Sequence, residues 1–485
     1  MSIPIATSHR GSLQGLSFDL ASLQAAFRDG ILRPTKLVRE IYRRQRSLDA
    51  TGRARGVWIT LMDEEKAIAQ AQAIEARGAG ASRQLPLYGI PFAVKDNIDC
   101  EGLATTAACP EFAYKASADA AVVARLKAAG AILVGKTNLD QFATGLVGVR
   151  SPYGICANPF DPRYIPGGSS SGSAVAVALG LVSFALGTDT AGSGRVPAAF
   201  NNVVGLKPTR GRVSTRGVVP ACRSLDCVSI FALTCADAWR VFRVAEGFDP
   251  ADPFSRERLQ ESGPAAYPAP FRFGVPRPDQ QEFFGDEGYR RLFDRALQRL
   301  VALGGIAVEI DFAPLREAAE LLYGGPWVAE RLAALGPFYA VHSGALHPVL
   351  KAILDQAGRF NAMDVFRAFY RLEEIRRIVA AMWSTIDVLV TPTAPTIYKI
   401  EDVMAEPVLT NNKLGTYTNF VNLLDLAAIA VPAGFRDDGL PFGVTLISPA
   451  WRDEALCALG SRLHRATDVP LGATGHTLSV AAETR

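Results

Sequence analysis

Two loops rich in glycine and serine carry the residues of this chain best suited to chemistry. They are Gly167-Gly168-Ser169-Ser170-Ser171-Gly172-Ser173 and Thr188-Asp189-Thr190-Ala191-Gly192-Ser193-Gly194-Arg195, and Val94-Lys95-Asp96 lies upstream of both. A serine hydroxyl attacks a carbonyl only once a base has taken its proton. A lysine can be that base only where burial makes its ammonium unfavourable. Lys95 closes the apolar segment Leu87-Tyr88-Gly89-Ile90-Pro91-Phe92-Ala93-Val94, which would provide such burial. The set points to acyl transfer by a serine with a lysine base. The five histidines, His9, His342, His347, His464 and His476, form no HExxH pattern and none neighbours a loop serine, so surface or packing roles are expected for them.

The second loop has further mechanical content. Gly192 and Gly194 free the backbone around Ser193, and successive N–H groups from Thr190, Ala191, Gly192 and Ser193 can converge as an oxyanion hole. Pro197 suits the first turn of a new helix. Asp189 and Arg195 are expected to brace the loop, and Ser170 to support its partner by hydrogen bonds.

These groups need a scaffold, and the pattern of apolar residues supplies one. From Phe18 to about Ala76 apolar positions recur at helical spacing, as in Leu20, Leu23, Ala26, Phe27, Ile31, Leu37, Ile41 and Tyr42. Leu87–Lys95 then reads as a strand ending in the lysine, Asp119–Ala129 as a helix and Ala131–Val134 as a strand. The run after Gly172 reads as a helix to Leu179, closed by Gly180, and Val182–Leu186 as a buried strand delivering the second loop. If that helix packs antiparallel to that strand, the two loops meet at one edge of the sheet, where open α/β sheets place their sites. Ile386–Pro392 is a later buried strand. Residues 250–380 are richer in helical pattern and read as an insertion over the sheet that selects the substrate. The division is one domain over residues 1–470, with a helical lead-in to about residue 80, and a patternless tail over residues 471–485.

The 485 residues are 49% hydrophobic and 20% charged, with 51 Lys+Arg against 48 Asp+Glu. Charges of both signs are interspersed, which argues against a nucleic-acid partner. The longest apolar stretch, Ala174 to Leu186, falls short of the roughly twenty residues of a membrane span. The N-terminus lacks the basic and long apolar regions of a secretory signal, so a cytoplasmic location is expected. Seven cysteines in no regular framework are expected to be reduced; Cys222 and Cys227 lack the CxxC or nearby histidine of a metal site. One pattern misleads. Gly130-Ala131-Ile132-Leu133-Val134-Gly135-Lys136-Thr137 has the spacing of a phosphate-binding loop, but its four middle residues are themselves a strand, so no cradle of N–H groups is expected.

The two loops, with Gly-Ile-Pro-Phe-Ala-Val-Lys-Asp-Asn at residues 89–97, Gly205-Leu206-Lys207-Pro208-Thr209 and Leu440-Pro441-Phe442-Gly443-Val444, resemble the amidase signature family over nearly the whole chain. The resemblance implies an α/β/α sandwich with a large mixed central sheet covered by helices. It also implies catalysis by Ser193 as nucleophile, Ser169 as a bridging serine on a cis peptide, and Lys95 as the ultimate base. No metal, nucleotide or organic cofactor is implied, and dimerisation is.

Within the family, Thr190–Asn202, Ser214–Cys222 and Leu322-Tyr323-Gly324-Gly325-Pro326-Trp327-Val328-Ala329-Glu330-Arg331 are similar to the allophanate hydrolases. That similarity implies hydrolysis of the terminal amide of allophanate, a small anion, in urea or s-triazine nitrogen breakdown, with Tyr323 and Arg331 gripping its carboxylate. Pro326 would open a helix that carries Arg331 inward; the alternative is a surface arginine salt-bridged near Glu330. Other readings are an amidase for a related carboxylated urea such as carboxybiuret, or an A-type chain of an amidotransferase complex. Allophanate hydrolases usually carry a further C-terminal domain that handles the first product. The amidase step is expected without it, because every relay residue precedes position 200.

Overall fold

Short apolar runs punctuated by glycine and proline become the strands of one large sheet. The computed structural model describes residue 13 and residues 15–78, 80–257 and 265–478. The strands are β1 (Trp58–Leu61), β2 (Pro91–Lys95), β3 (Ala104–Thr105), β4 (Tyr114–Lys115), β5 (Ile132–Thr137), β6 (Phe184–Asp189) and β7 (Val204–Lys207). They continue with β8 (Cys227–Ala232), β9 (Phe271–Pro276), β10 (Gly305–Ile310), β11 (Val388–Pro392), β12 (Leu426–Phe435) and β13 (Pro441–Pro449). Among the described residues, β3 and β4 pair as a ribbon. The other strands form an 11-stranded mixed sheet in the order β1-β5-β2-β6-β8-β7-β12-β13-β11-β9-β10. Helices cover it, giving the α/β architecture expected.

The centre of the sheet positions the chemistry. β2, β5 and β6 are buried at every residue, as strands covered on both faces must be. β2 runs parallel to β6, with Val94 opposite Leu186. Their C-terminal ends, Lys95 and Asp189, therefore emerge at the same edge. The helix Ser171–Ala178 is likewise buried on all sides and stops at Leu179 before Gly180, whose φ of +64° is a helix-ending conformation. The chain returns along β6, so the start of this helix and the end of β6 share that edge too.

The sequence pattern located these elements to within a few residues and missed others. β1 interrupts the helical lead-in, which comprises Leu20–Arg28, Pro34–Ala50 and Glu64–Glu75. Its four residues are all half-buried, so they show no alternation to read. Residues 250–380 are not only a cover. β9 and β10 pair in parallel and extend the sheet beyond β11. Arg272 and Gly274 break up the apolar run of β9, and half the residues of β10 at the sheet margin are exposed. Of the tail, Gly472 donates its N–H to the Asn202 carbonyl at 3.1 Å and Leu471 is buried. Residues 479–485, like His9, lie outside the described residues.

Among the described residues the two largest of four apolar clusters hold the helices to the sheet. One surrounds the central strands and includes Phe92, Val175, Phe184 and Leu186. The other, with Leu315, Leu322, Trp327, Leu372, Ile375 and Phe420, joins the helices Ala313–Gly324, Trp327–His342 and Ala362–Met382 to the sheet.

The phosphate-loop pattern is resolved by β5, which occupies the positions where a cradle would be. Lys136 is fully buried, pairs with the buried Asp96 at 3.2 Å, and donates to Thr105 Oγ1 at 2.6 Å and the Ala104 carbonyl at 2.8 Å. Removing one member of such a pair strands the other charge in the interior. Lys136→Ala is expected to cost about 3–5 kcal/mol in urea unfolding, while an ATP-binding assay shows nothing to lose.

Candidate active site

Lys95 ends β2 in a fully buried position. Its Nζ donates to Ser169 Oγ at 2.7 Å and to Thr188 Oγ1 at 2.8 Å. Burial pushes its pKa down to about 7, against the pull of Asp140, Asp226 and Asp189 toward the charged form. The amine is thus poised near neutrality, as a general base requires. Thr188 opens the second loop, and its place beside the lysine follows from the pairing of β2 with β6.

The first loop is held from several sides. The Gly168–Ser169 peptide is cis. A Cβ on Gly168 would sit 2.1 Å from Asp140 Oδ2, so only glycine fits there. Asp140 organises the neighbourhood: its N–H donates to the Ser169 carbonyl at 3.0 Å, and its carboxylate accepts from the N–H groups of Gly148 at 2.9 Å and Arg150 at 2.9 Å. Ser170 Oγ donates to the Thr188 carbonyl at 3.2 Å, and Ser173 Oγ to the Leu186 carbonyl at 2.9 Å, so both lash the loop to β6.

The second loop is braced as its charges suggest. Arg195 grips Asp189 through Nε at 2.8 Å and Nη2 at 2.9 Å, and both residues are fully buried. Asp189 also accepts the N–H groups of Gly192 at 2.8 Å and Gly194 at 3.0 Å. Of the four N–H groups expected to form an oxyanion hole, that of Gly192 is thus engaged by Asp189. Gly192 has φ +129°, and a side chain there would meet Thr418 Oγ1 at 2.4 Å. Thr190 donates a short hydrogen bond through its hydroxyl to Asp226. Asp226 also accepts the N–H groups of Ala221 and Cys222, and burial raises its pKa to about 6. No local pattern in the sequence distinguishes Asp226 or Asp140 from surface carboxylates.

Ser193 is 3% exposed, and its Oγ donates to the Gly145 carbonyl at 3.4 Å. Among the described residues it makes no hydrogen bond to Ser169. The structure thus joins Lys95 to Ser169 directly and places the Ser193 loop beside them, with the hydroxyl turned to Gly145.

Arg331 is 2% exposed, which rules out the surface alternative. The helix Trp327–His342 follows Pro326 directly and buries Trp327, Val328, Arg331 and Leu335 along one face. Nη1 of Arg331 donates to Thr144 Oγ1 at 3.2 Å and Nη2 to Tyr323 OH at 3.4 Å; the guanidinium lies 5.0 Å from the Tyr323 ring centre. Glu330 turns the other way and accepts from Ser224 N and Oγ at 2.7 and 2.8 Å. Among the described residues no carboxylate pairs with Arg331; Asp226 and Glu330 act on it from farther off. Among the described residues its Nε has no hydrogen-bond partner. Tyr323 also lines a cavity of about 460 Å³ with Arg316, Asn412, Thr416 and Asn419.

Cys222 and Cys227 are buried and free, and Cys222 Sγ donates weakly to the Trp327 carbonyl at 3.7 Å. Among the described residues no cluster of ligating side chains suits a metal ion, and no helix is long and apolar enough to cross a membrane.

A buried serine–lysine contact beside a second serine on a glycine loop, all at one edge of a mixed sheet, defines an α/β protein of amidase type. The Amidase family model matches residues 37–457, and the chain belongs to that family. It is 50% identical over 409 residues to the urea amidolyase of Saccharomyces cerevisiae, covering 84% of this chain but 22% of that protein. It therefore spans about a fifth of that relative's length. The A-type chain of the glutamyl-tRNA(Gln) amidotransferase from Symbiobacterium thermophilum is 36% identical over 451 residues, covering 85% of this chain and 90% of that one. Among solved structures, Kluyveromyces lactis allophanate hydrolase superposes with a TM-score of 0.89 at 43% identity, covering 97% of this chain and 77% of that one.

Proposed function

We propose that the chain is an amidohydrolase that cleaves the terminal amide of allophanate and releases ammonia. The observation that carries this reading is Arg331: a buried guanidinium, flanked by a tyrosine hydroxyl, with no carboxylate partner of its own among the described residues. Burying an unpaired cation is costly, and a small substrate carboxylate would relieve that cost through paired, charge-assisted hydrogen bonds. The similarity to urea amidolyase and to allophanate hydrolase supports the same substrate.

In the proposed reaction neutral Lys95 takes the proton of Ser169 as Ser169 takes that of Ser193. The Ser193 hydroxyl first rotates from Gly145 toward Ser169. Its oxygen attacks the amide carbonyl, and the developing oxyanion is met by N–H groups of Thr190, Ala191 and Ser193. The relay returns the proton to the leaving nitrogen. Ammonia departs, and water then hydrolyses the acyl-enzyme. A cytoplasmic location fits the seven buried, unpaired cysteines. The homodimer rests on the family resemblance.

The test is ammonia release from allophanate, with malonamate, biuret and a simple aryl amide alongside. Arg331→Ala is expected to lower kcat/KM for allophanate by roughly 100-fold or more, the scale for losing a buried charged hydrogen-bond pair, while sparing neutral amides. Equal activity on neutral amides, indifferent to Arg331, would overturn the substrate and leave the serine–lysine chemistry.

A further inference from the structure

The segment from Phe142 to Gly145 touches both ends of the site. Thr144 is 2% exposed, and its hydroxyl does two things at once: it accepts from Nη1 of Arg331 at 3.2 Å and donates to the Phe142 carbonyl at 3.1 Å. Its own carbonyl is held by Nη1 of the buried Arg150 at 3.1 Å, whose Nη2 reaches the Pro407 carbonyl at 2.8 Å. One peptide further on, the Gly145 carbonyl accepts the Ser193 hydroxyl. The backbone here is unusual, with Phe142 and Ala143 at φ +49° and +53°. The Asp140 carboxylate pins the following turn through Gly148 and Arg150.

We infer that Thr144 is a positioning residue that sets the Arg331 guanidinium in register with the nucleophile. The inference rests on the reading of Arg331 as the carboxylate clamp. Arg331 reaches the site on the helix Trp327–His342 and Ser193 on the loop after β6, two elements that pack into one apolar cluster through Trp327 and Ala191. Two groups carried on different elements need a polar bridge to fix their register if a substrate a few atoms long is to span them. Small misplacement of reacting groups lowers rate steeply. The Thr144 hydroxyl makes that bridge: it holds the guanidinium, and the backbone one residue away holds the nucleophile's oxygen. Its hydrogen bond uses one Nη1 proton of Arg331 and leaves other donors for a carboxylate, so it steers the clamp without filling it.

A structural role and a positioning role make different predictions. Thr144→Val keeps the shape and removes the hydroxyl; Thr144→Ser keeps the hydroxyl. For allophanate, Thr144→Val is expected to lower kcat by roughly 10- to 100-fold, the scale of a lost hydrogen bond to a charged group, and to raise KM less. Thr144→Ser is expected to stay within about threefold of the parent chain, which is less than the 1.4 kcal/mol of a tenfold change. On a neutral aryl amide, which cannot engage Arg331, Thr144→Val is expected to match the parent. Equal losses on both substrates would show that the hydroxyl merely supports the loop. An unchanged kcat on allophanate in Thr144→Val would likewise overturn the inference. Both of those outcomes leave the clamp intact, since the Arg331→Ala comparison decides it separately. If Arg331→Ala shows no preference for the carboxylated substrate, the clamp and this inference fall together.

Discussion

Ser193→Ala is expected to abolish turnover, lowering kcat by roughly 10⁴-fold or more, on the scale seen when the nucleophile of a serine hydrolase is removed. The fold should be untouched. Ser193 is small, and its side chain makes a single long hydrogen bond to the Gly145 carbonyl. The loop around it is fixed instead by the Asp189–Arg195 pair and the N–H groups of Gly192 and Gly194. Thermal unfolding should therefore coincide with that of the parent chain while ammonia release falls to background. Retained turnover in an intact variant would remove Ser193 from the chemistry. Any residual rate should trace to binding and to the remaining N–H groups of the oxyanion site.

The second large effect concerns Lys95. Arginine keeps its charge at any working pH and cannot accept a proton, so Lys95→Arg is expected to cost on the order of 10²–10⁴ in kcat, the range for a lost general base. The parent chain should show the matching pH dependence. Burial lowers the lysine to about 7, so the amine is mostly protonated, and inactive as a base, below that pH. It is mostly neutral above it. The rate should accordingly climb through pH 7 and level off on the alkaline side, and that limb should be missing from whatever activity Lys95→Arg retains. A parent profile flat from about pH 5.5 to 8.5 would argue against lysine as the base. Asp226, raised to about 6 by the same burial, titrates lower, so a second inflection near 6 would point to it.

Much of this was legible in the sequence, for physical reasons. Strands buried on both faces read as continuous apolar runs, so β2 and β6 stood out and with them the residues at their ends. Glycine and serine clusters marked the loops because the backbone there approaches other groups closely, as Gly168 does Asp140. What escaped notice depends on tertiary geometry. Asp140, Thr144 and Asp226 carry no local signature; they matter because folding brings them to Ser169, Arg331 and Thr190. The engagement of the Gly192 N–H by Asp189 is visible for the same reason only in the folded loop. At the sheet margin, Arg272 and the exposed residues of β10 blurred the period on which strand recognition relies.

The two apolar clusters bear on how such a chain can change over generations. Lys95, Ser169 and Ser193 are anchored in packing around the central strands, where the helix Ser171–Ala178 has no exposed face on which substitutions could accumulate harmlessly. Tyr323 and Arg331 belong to helices packed in the other cluster, beside the sheet margin. That cluster also takes in Ala191 of the Ser193 loop, so exchanging side chains there touches the seat of Ser193 as well. A substitution at the Arg331 end therefore has to be accommodated by the same packing that seats Ala191 two residues before Ser193.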